Sequence, residues 1–98
     1  MGQCRYKRVL LKLSGESFCL PGEFGINGPS LESLAERIVE IRKLGPEVAI
    51  VVGAGNFIRG EAFSRKSHIP RNTADYMGML STIINACALQ EALEKLGQ

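Results

Sequence analysis

Short apolar runs and one amphipathic stretch alternate along the first half of the chain. The run Arg8–Leu13 (RVLLKL) ends at Ser14-Gly15 and predicts a buried strand that leads into a turn. The run Glu47–Val52 (EVAIVV) is apolar and β-branched, which predicts a second strand buried on both faces. Residues 14–29 are rich in glycine and proline and predict a loop.

A helix is expected between the two strands. Ser30 is a candidate N-cap, and Gly45-Pro46 is a typical stop signal. Apolar residues recur between them at helical spacing: Leu31, Leu34, Ala35, Ile38, Ile41 and Leu44. Strand, helix and strand joined by a short return form a βαβ unit, so the two strands should be parallel and adjacent or nearly so.

The last third of the chain predicts one long helix. After a polar, basic stretch over residues 59–71, Asn72 is the expected cap of a helix from Thr73 to about Leu96, with Asp75 in its first turn. Apolar side chains surround most of its circumference and leave a thin polar strip of Ser81, Thr82 and Asn85. A helix on one small sheet needs only one apolar face, so its second face should meet more sheet or another subunit.

Composition narrows the class of protein. The chain has 98 residues, of which 45% are hydrophobic and 22% charged, with a net charge of +2. These values fit one small globular unit and argue against disorder, a membrane span and nucleic-acid binding. Because two strands do not make a stable sheet, the chain is expected to be the opening of a larger α/β domain. The sequence shows no apolar run long enough for a membrane span and no signal-peptide pattern, so the cytoplasm is the expected location. Three widely spaced cysteines and the single His68 predict no metal site.

The candidate chemistry lies where the two strands end. Both strands run into glycine-rich turns, Ser14-Gly15 and Gly53-Ala54-Gly55-Asn56, and ligands of parallel α/β sheets bind beyond the carboxyl ends of the strands. Glycines let a phosphate approach backbone N–H groups closely, and Lys12 and Arg59 supply a cation near each turn. The two turns together therefore favour a site for two phosphate groups. Neither a dinucleotide fingerprint nor a P-loop is present.

Each of these residues also has a simpler interpretation. Either turn alone is most often a bend after a strand. Lys12 fits an edge-strand lysine that faces solvent as well as an ammonium group aimed at phosphate oxygens. Asp75 fits a partner of the helix dipole as well as an acceptor for a sugar hydroxyl.

Three segments carry a resemblance to a known family. The segments KLSGE (12–16), VVGAGNFIRG (51–60) and TADYMGML (73–80) resemble the bacterial uridylate kinases of the amino acid kinase family, in the order and spacing of that family. TADYMGML is the most specific of them, because it separates uridylate kinases from the sibling carbamate, glutamate and aspartate kinases. The resemblance implies a three-layer sandwich with a parallel-rich sheet, of which residues 1–98 form the N-terminal part of a single, truncated domain.

The resemblance also implies an activity and residue roles. The implied reaction transfers the γ-phosphoryl group of ATP to UMP, with Mg²⁺ held through the nucleotide phosphates, GTP as activator and a homohexamer as the assembly. The residues matching ATP contacts are Lys12, Leu13, Ser14, Gly15, Gly55 and Arg59, with Lys12 and Arg59 as the catalytic pair. Those matching UMP contacts are Ala54 and Asp75. The segment matching the loop for activation by GTP is Leu20, Pro21, Gly22, Glu23, Phe24 and Gly25.

Two departures from the family pattern bear on these roles. Ala54 stands where the family usually has glycine. A positive φ at that position would cost alanine roughly 1 kcal/mol or more, whereas a negative φ would make the methyl group harmless. Uridylate kinases are also well over twice as long as this chain. A non-catalytic fragment that binds phosphate or associates with other subunits is therefore the alternative function.

Overall fold

Two parallel strands connected by a helix form the centre of the molecule. A computed structural model describes residues 4–58 and 60–98. The elements in chain order are β1 (Arg8–Leu13), a 3-10 helix (Gly15–Phe18), α1 (Gly28–Lys43), β2 (Glu47–Val52), α2 (Gly60–Ser67) and α3 (Arg71–Lys95). The βαβ unit and the bounds of both strands are thus confirmed.

The two strands form a sheet with one covered face and one open face. They pair in parallel from Arg8 opposite Glu47 to Leu13 opposite Val52. Alternate residues of each strand are half-buried, and the residues between them are exposed. The prediction that β2 is buried on both faces is wrong for the described residues, since Val51 is 48% exposed. The packed helices cover only the face that carries Leu13, Ile50 and Val52.

Helix α1 begins and ends at signals that the sequence contains. Its N-cap is Asn27 rather than Ser30, because the Asn27 Oδ1 accepts hydrogen bonds from the Ser30 N–H and from the Ser30 hydroxyl, each at 2.9 Å. The helix ends at Lys43, and Gly45 follows with a φ of +111° that favours glycine. The predicted stop at Gly45-Pro46 is therefore confirmed, and the predicted cap is three residues late.

The core lies between α1, α3 and the covered face of the sheet. Its fully buried centre includes Phe18, which belongs to a 3-10 helix inside the segment predicted as a loop. The other buried members of this cluster are Leu34, Ala35, Ile38 and Leu89. The predicted apolar stripe of α1 is thus correct in its middle, although Leu44 at its end is 56% exposed.

The region before α3 differs from the prediction. The basic stretch contains α2, a helix that was not predicted because its eight residues include only two apolar ones, Ala62 and Phe63. Helix α3 begins at Arg71 after Pro70, so Asn72 lies inside the helix and does not cap it. Asp75 lies beyond the first turn and accepts from the Arg71 Nε at 3.0 Å, an exposed ion pair at i,i+4 spacing.

Helix α3 turns its polar strip inward. It has 25 residues and spans about 37 Å. Ser81 and Asn85 are buried together with Ala74 and Leu89. Large apolar residues lie on the exposed side: Tyr76, Met79, Leu80, Ile83 and Ile84. Across residues 4–58 and 60–98, no helix is long and apolar enough to cross a membrane.

Replacing Phe18 tests the position of the core. Phe18 is fully buried whereas Phe24 is 83% exposed. Phe18→Ala should therefore lower the free energy of unfolding of the purified protein by about 3–5 kcal/mol. Phe24→Ala is the matched control and should change it by less than about 0.5 kcal/mol. Equal effects of the two variants in urea denaturation would place the core elsewhere.

Candidate phosphate-binding site at the carboxyl ends of the strands

The turns after β1 and β2 touch each other. Because the strands are parallel, their carboxyl ends lie at the same edge of the sheet. The Gly53 N–H donates to the Leu13 carbonyl at 2.8 Å, which extends the ladder by one bond beyond the strands. The two glycine-rich turns predicted from the sequence are therefore brought together as one surface.

Gly15 makes the closest approach between the turns. A Cβ atom at Gly15 would lie 2.5 Å from the Asn56 Oδ1 and 2.8 Å from the Ala54 carbonyl carbon, far inside normal contact distance. No side chain fits there without moving the second turn. Glycine is required at this position by close packing between backbones, since its φ is not positive.

A buried pair of asparagines supports the second turn from behind. Asn56 is 1% exposed and Asn85 is fully buried. The Asn85 Nδ2 donates to the Asn56 Oδ1 at 2.7 Å and to the Gly53 carbonyl at 2.8 Å. In return, the Asn56 Nδ2 donates to the Asn85 Oδ1 at 3.0 Å. Helix α3 thus holds both ends of the turn Gly53–Asn56 by side-chain hydrogen bonds.

Asn56 also holds the segment Leu20–Gly25, which was predicted to match the loop for activation by GTP. The Asn56 Nδ2 donates to the Gly25 carbonyl at 2.9 Å, and the Gly25 N–H donates to the Asn56 carbonyl at 2.7 Å. The rest of the loop extends outward, with Leu20 49% exposed and Phe24 83% exposed. One end of the segment Leu20–Gly25 is therefore fixed to the candidate site, and its tip lies in solvent.

Backbone donors and a charge at the turns are unused within the described residues, although Gly15 itself is buried and Gly55 is half-buried. The N–H groups of Gly15 and Gly55 donate to no acceptor within the described ranges. Lys12 lies on the exposed face of β1 and forms no ion pair or hydrogen bond with any described residue. Two free N–H donors and an unpaired ammonium group near one sheet edge are suited to an anion with several oxygens, such as a phosphate.

Ala54 adopts its conformation without strain. Among the described residues, the only non-glycine residue with a positive φ is His68. Ala54 therefore has a negative φ, and the methyl group that replaces the usual glycine hydrogen does not strain the backbone. Of the two outcomes left open by the sequence, the harmless one applies.

One predicted site residue, Asp75, is separated from this surface. Arg59 lies outside the described residues. Asp75 lies on α3, ten residues before Asn85 and therefore about 15 Å away along the helix axis. Its carboxylate is exposed and faces Arg71. The structure brings together Lys12, Ser14, Gly15, Ala54 and Gly55, and leaves Asp75 at a distance from them.

The sequence contained a signal for Asn85 that the prediction did not use. Asn85 is the one amide within the apolar run 83–89 (IINACAL), and an amide there is expensive to bury without partners, so its presence indicates a specific hydrogen-bond partner. Asn56 had no comparable signal, because asparagine is common in turns. No group of three or more metal-ligating side chains occurs within the described part of the chain.

Comparison with known proteins identifies the family. The sequence model of the family described as "Amino acid kinase family" matches residues 7–98 of the chain. The chain belongs to the amino acid kinase family. It shares the mixed α/β fold of that family.

Two solved structures are similar to the chain. A UMP kinase from Bacillus anthracis is 42% identical with a TM-score of 0.83, and the match covers 92% of this chain and 36% of that protein. A UMP kinase from Ureaplasma parvum is 39% identical with a TM-score of 0.83, and the match covers 95% of this chain and 40% of that protein. The chain thus corresponds to the N-terminal part of these structures and spans well under half of their length.

Gly15→Ala tests the contact between the two turns. The added methyl group would overlap the second turn and should lower the free energy of unfolding by about 1–3 kcal/mol. Gly28→Ala is the matched control, because a Cβ at Gly28 meets nothing within 4 Å. Its effect should stay below about 1 kcal/mol. A Gly15→Ala protein as stable as the control in denaturant titration would show that the turns are not in close contact.

Proposed function

We propose that this chain forms the N-terminal part of a UMP kinase, which transfers the γ-phosphoryl group of ATP to UMP and gives UDP and ADP in pyrimidine nucleotide biosynthesis. The observation that supports the proposal is the close contact between the two glycine turns, which follow the parallel strands β1 and β2 at the same edge of the sheet. The segment TADYMGML and the similarity to two UMP kinases support UMP rather than another acceptor.

The first turn would bind ATP. Lys12, Leu13, Ser14 and Gly15 line the end of β1, and Gly55 faces them from the second turn. The free N–H groups of Gly15 and Gly55 would donate to phosphate oxygens of ATP, without the reorganisation that water requires. Holding the donor nucleotide in a fixed orientation is a large part of catalysis in phosphoryl transfer.

Lys12 and Arg59 would be the catalytic residues. The Lys12 ammonium group would stabilise negative charge on the phosphoryl group during transfer, and Arg59 would act on the same oxygens. Mg²⁺ would enter with ATP, bound through the nucleotide phosphates, and neutralise part of their charge.

UMP would bind at Ala54 and Asp75. Asp75 would accept hydrogen bonds from the nucleotide at a distance from the phosphates, which agrees with its separation from the turns along α3. The acceptor is itself a phosphate monoester with a second pKa of about 6, so most of it is a dianion at neutral pH. It can therefore attack without a general base, and positioning and charge stabilisation are sufficient.

The remaining expectations concern regulation and assembly. The segment Leu20–Gly25 would take part in activation by GTP, supported by its fixed connection to the second turn through Gly25. The exposed apolar side of α3 would lie in a subunit interface of a homohexamer, and the enzyme would act in the cytoplasm.

The first experiment measures UDP formation from ATP and UMP by the full-length protein. Wild-type protein should form UDP, and Lys12→Ala should lower turnover at least about 100-fold, the scale of losing one donor to a transition-state oxyanion. Lys43→Ala is the control, because Lys43 is exposed at the end of α1 and, among the described residues, pairs only with Glu40 at 3.1 Å. It should retain normal turnover.

Two results would contradict the proposal at different levels. Absence of UDP with wild-type protein, together with phosphorylation of carbamate, glutamate or aspartate, would assign a sibling activity. Normal turnover in the Lys12→Ala protein would remove Lys12 from the catalytic groups and leave the reaction itself supported.

A second function is favoured by the exposed side of α3. Tyr76 is 63% exposed, Leu80 is 62% exposed and Ile83 is 58% exposed, which is unusual for large apolar side chains on one helix. A product of only these 98 residues would then act as a non-catalytic module that associates with complete subunits. Co-elution of the two in size-exclusion chromatography would support this function, and separate elution would exclude it.

A further inference from the structure

We propose that Asn56 and Asn85 are positioning residues that join the turn Gly53–Asn56 to the loop Leu20–Gly25, so that the two segments move as one body. This inference rests on the proposed function, in which the turn binds nucleotide phosphates. Neither asparagine touches the open side of the site, so both would act through the backbone that they hold.

The two side-chain amides use all of their donors. The Asn85 side chain donates its two N–H groups to the Gly53 carbonyl and the Asn56 Oδ1. The Asn56 side chain donates its two N–H groups to the Gly25 carbonyl and the Asn85 Oδ1. No buried side-chain nitrogen or oxygen in the described residues lacks a partner. A fully satisfied buried network allows one arrangement of its members and is rigid for that reason.

Core stability alone does not require this pair. Residues of similar volume without polar atoms could fill the same space, and such replacements of buried polar groups are often neutral or stabilising. An amide pair adds direction, because two of its four hydrogen bonds go to backbone carbonyls and fix their positions. The carbonyls fixed here belong to Gly53 in the second turn and Gly25 in the loop.

The loop is attached at two points. Gly25 both accepts from the Asn56 side chain and donates to the Asn56 carbonyl, so neither translation nor rotation of Gly25 is free. Gly25 has a φ of +80°, which only glycine adopts at low cost. A displacement of the loop must therefore displace Asn56, and with it the Gly55 N–H that precedes it.

Asn85→Asp in the full-length protein tests the proposal. Aspartate has nearly the shape of the amide, but its carboxylate donates no hydrogen bond and its neutral acid form donates only one, so at least one of the bonds to the Gly53 carbonyl and the Asn56 Oδ1 is lost. Asn72→Asp is the matched control, since Asn72 is exposed on the same helix. Hydrogen exchange is followed by mass spectrometry in peptides covering residues 20–27 and 50–57, with a peptide from 31–43 as internal reference.

The expected result is local and coupled. In the Asn85→Asp protein, exchange should become at least about tenfold faster in both the loop and the turn peptides, with the α1 peptide unchanged. The value of kcat for UDP formation should fall at least about tenfold, because small displacements of positioning groups reduce turnover strongly. The Asn72→Asp protein should match wild type in both measurements.

Other results would overturn the proposal. Faster exchange in the turn alone would show that the loop is not coupled to it, and equal acceleration in all three peptides would show a general loss of stability. If Asn85→Asp does not fold, Asn85→Ser replaces it, since the shorter hydroxyl cannot reach both acceptors. If wild-type protein forms no UDP, the proposed function fails, and the exchange data still decide whether the two segments are coupled.

Discussion

The reciprocal hydrogen bonds between Asn56 and Asn85 connect every element that forms the candidate site. They join helix α3 to the turn after β2, and that turn is in backbone contact with Gly15 at the start of the turn after β1. Burying two amides is unfavourable unless all their polar atoms are bonded, and here each finds its partners. These hydrogen bonds fix the Gly53 carbonyl and the Asn56 side chain at the two ends of the turn after β2.

The burial of the polar residues Ser81 and Asn85 determines which side of α3 faces the core. Once Ser81 and Asn85 face the core, the apolar residues on the opposite side of the helix face outward. The open face of the sheet presents a comparable surface, with Leu10 68% exposed. Exposed apolar residues that cluster on one surface are typical of regions that pack against further protein. The chain spans 36% and 40% of the two similar structures, which agrees with this picture.

Local features of the fold were predictable, and long-range contacts were not. The strands Arg8–Leu13 and Glu47–Val52 follow from apolar runs that end at glycines, and the end of α1 follows from Gly45-Pro46. The 3-10 helix was missed because its four residues, Gly15–Phe18, contain only one apolar side chain, which is too few to show a period. The cap of α1 was misplaced because Asn27 and Ser30 are both good cap residues, and a side-chain contact decides between them.

In the candidate site, too, local features were predictable and long-range contacts were not. The pairing of two glycine turns follows from the parallel βαβ topology, and so does the choice of Lys12 as a candidate. The required glycine at Gly15, the unstrained Ala54 and the connection from Gly25 to Asn56 depend on distances between segments far apart in sequence. Sequence patterns do not encode such distances. The exception is a polar residue inside an apolar run, such as Asn85, which indicates a specific hydrogen-bond partner.

The central claim is that the two turns form one phosphate-binding surface through the N–H groups of Gly15 and Gly55. The most direct measurement is the amide spectrum of full-length protein with isotope-labelled glycine, titrated first with ATP and then with UMP. The signals of Gly15 and Gly55 should both shift on addition of ATP, while those of Gly28 and Gly45 at the two ends of α1 should not. If the Gly15 and Gly55 signals stay unshifted at saturating ATP, the two turns do not bind phosphate through these N–H groups.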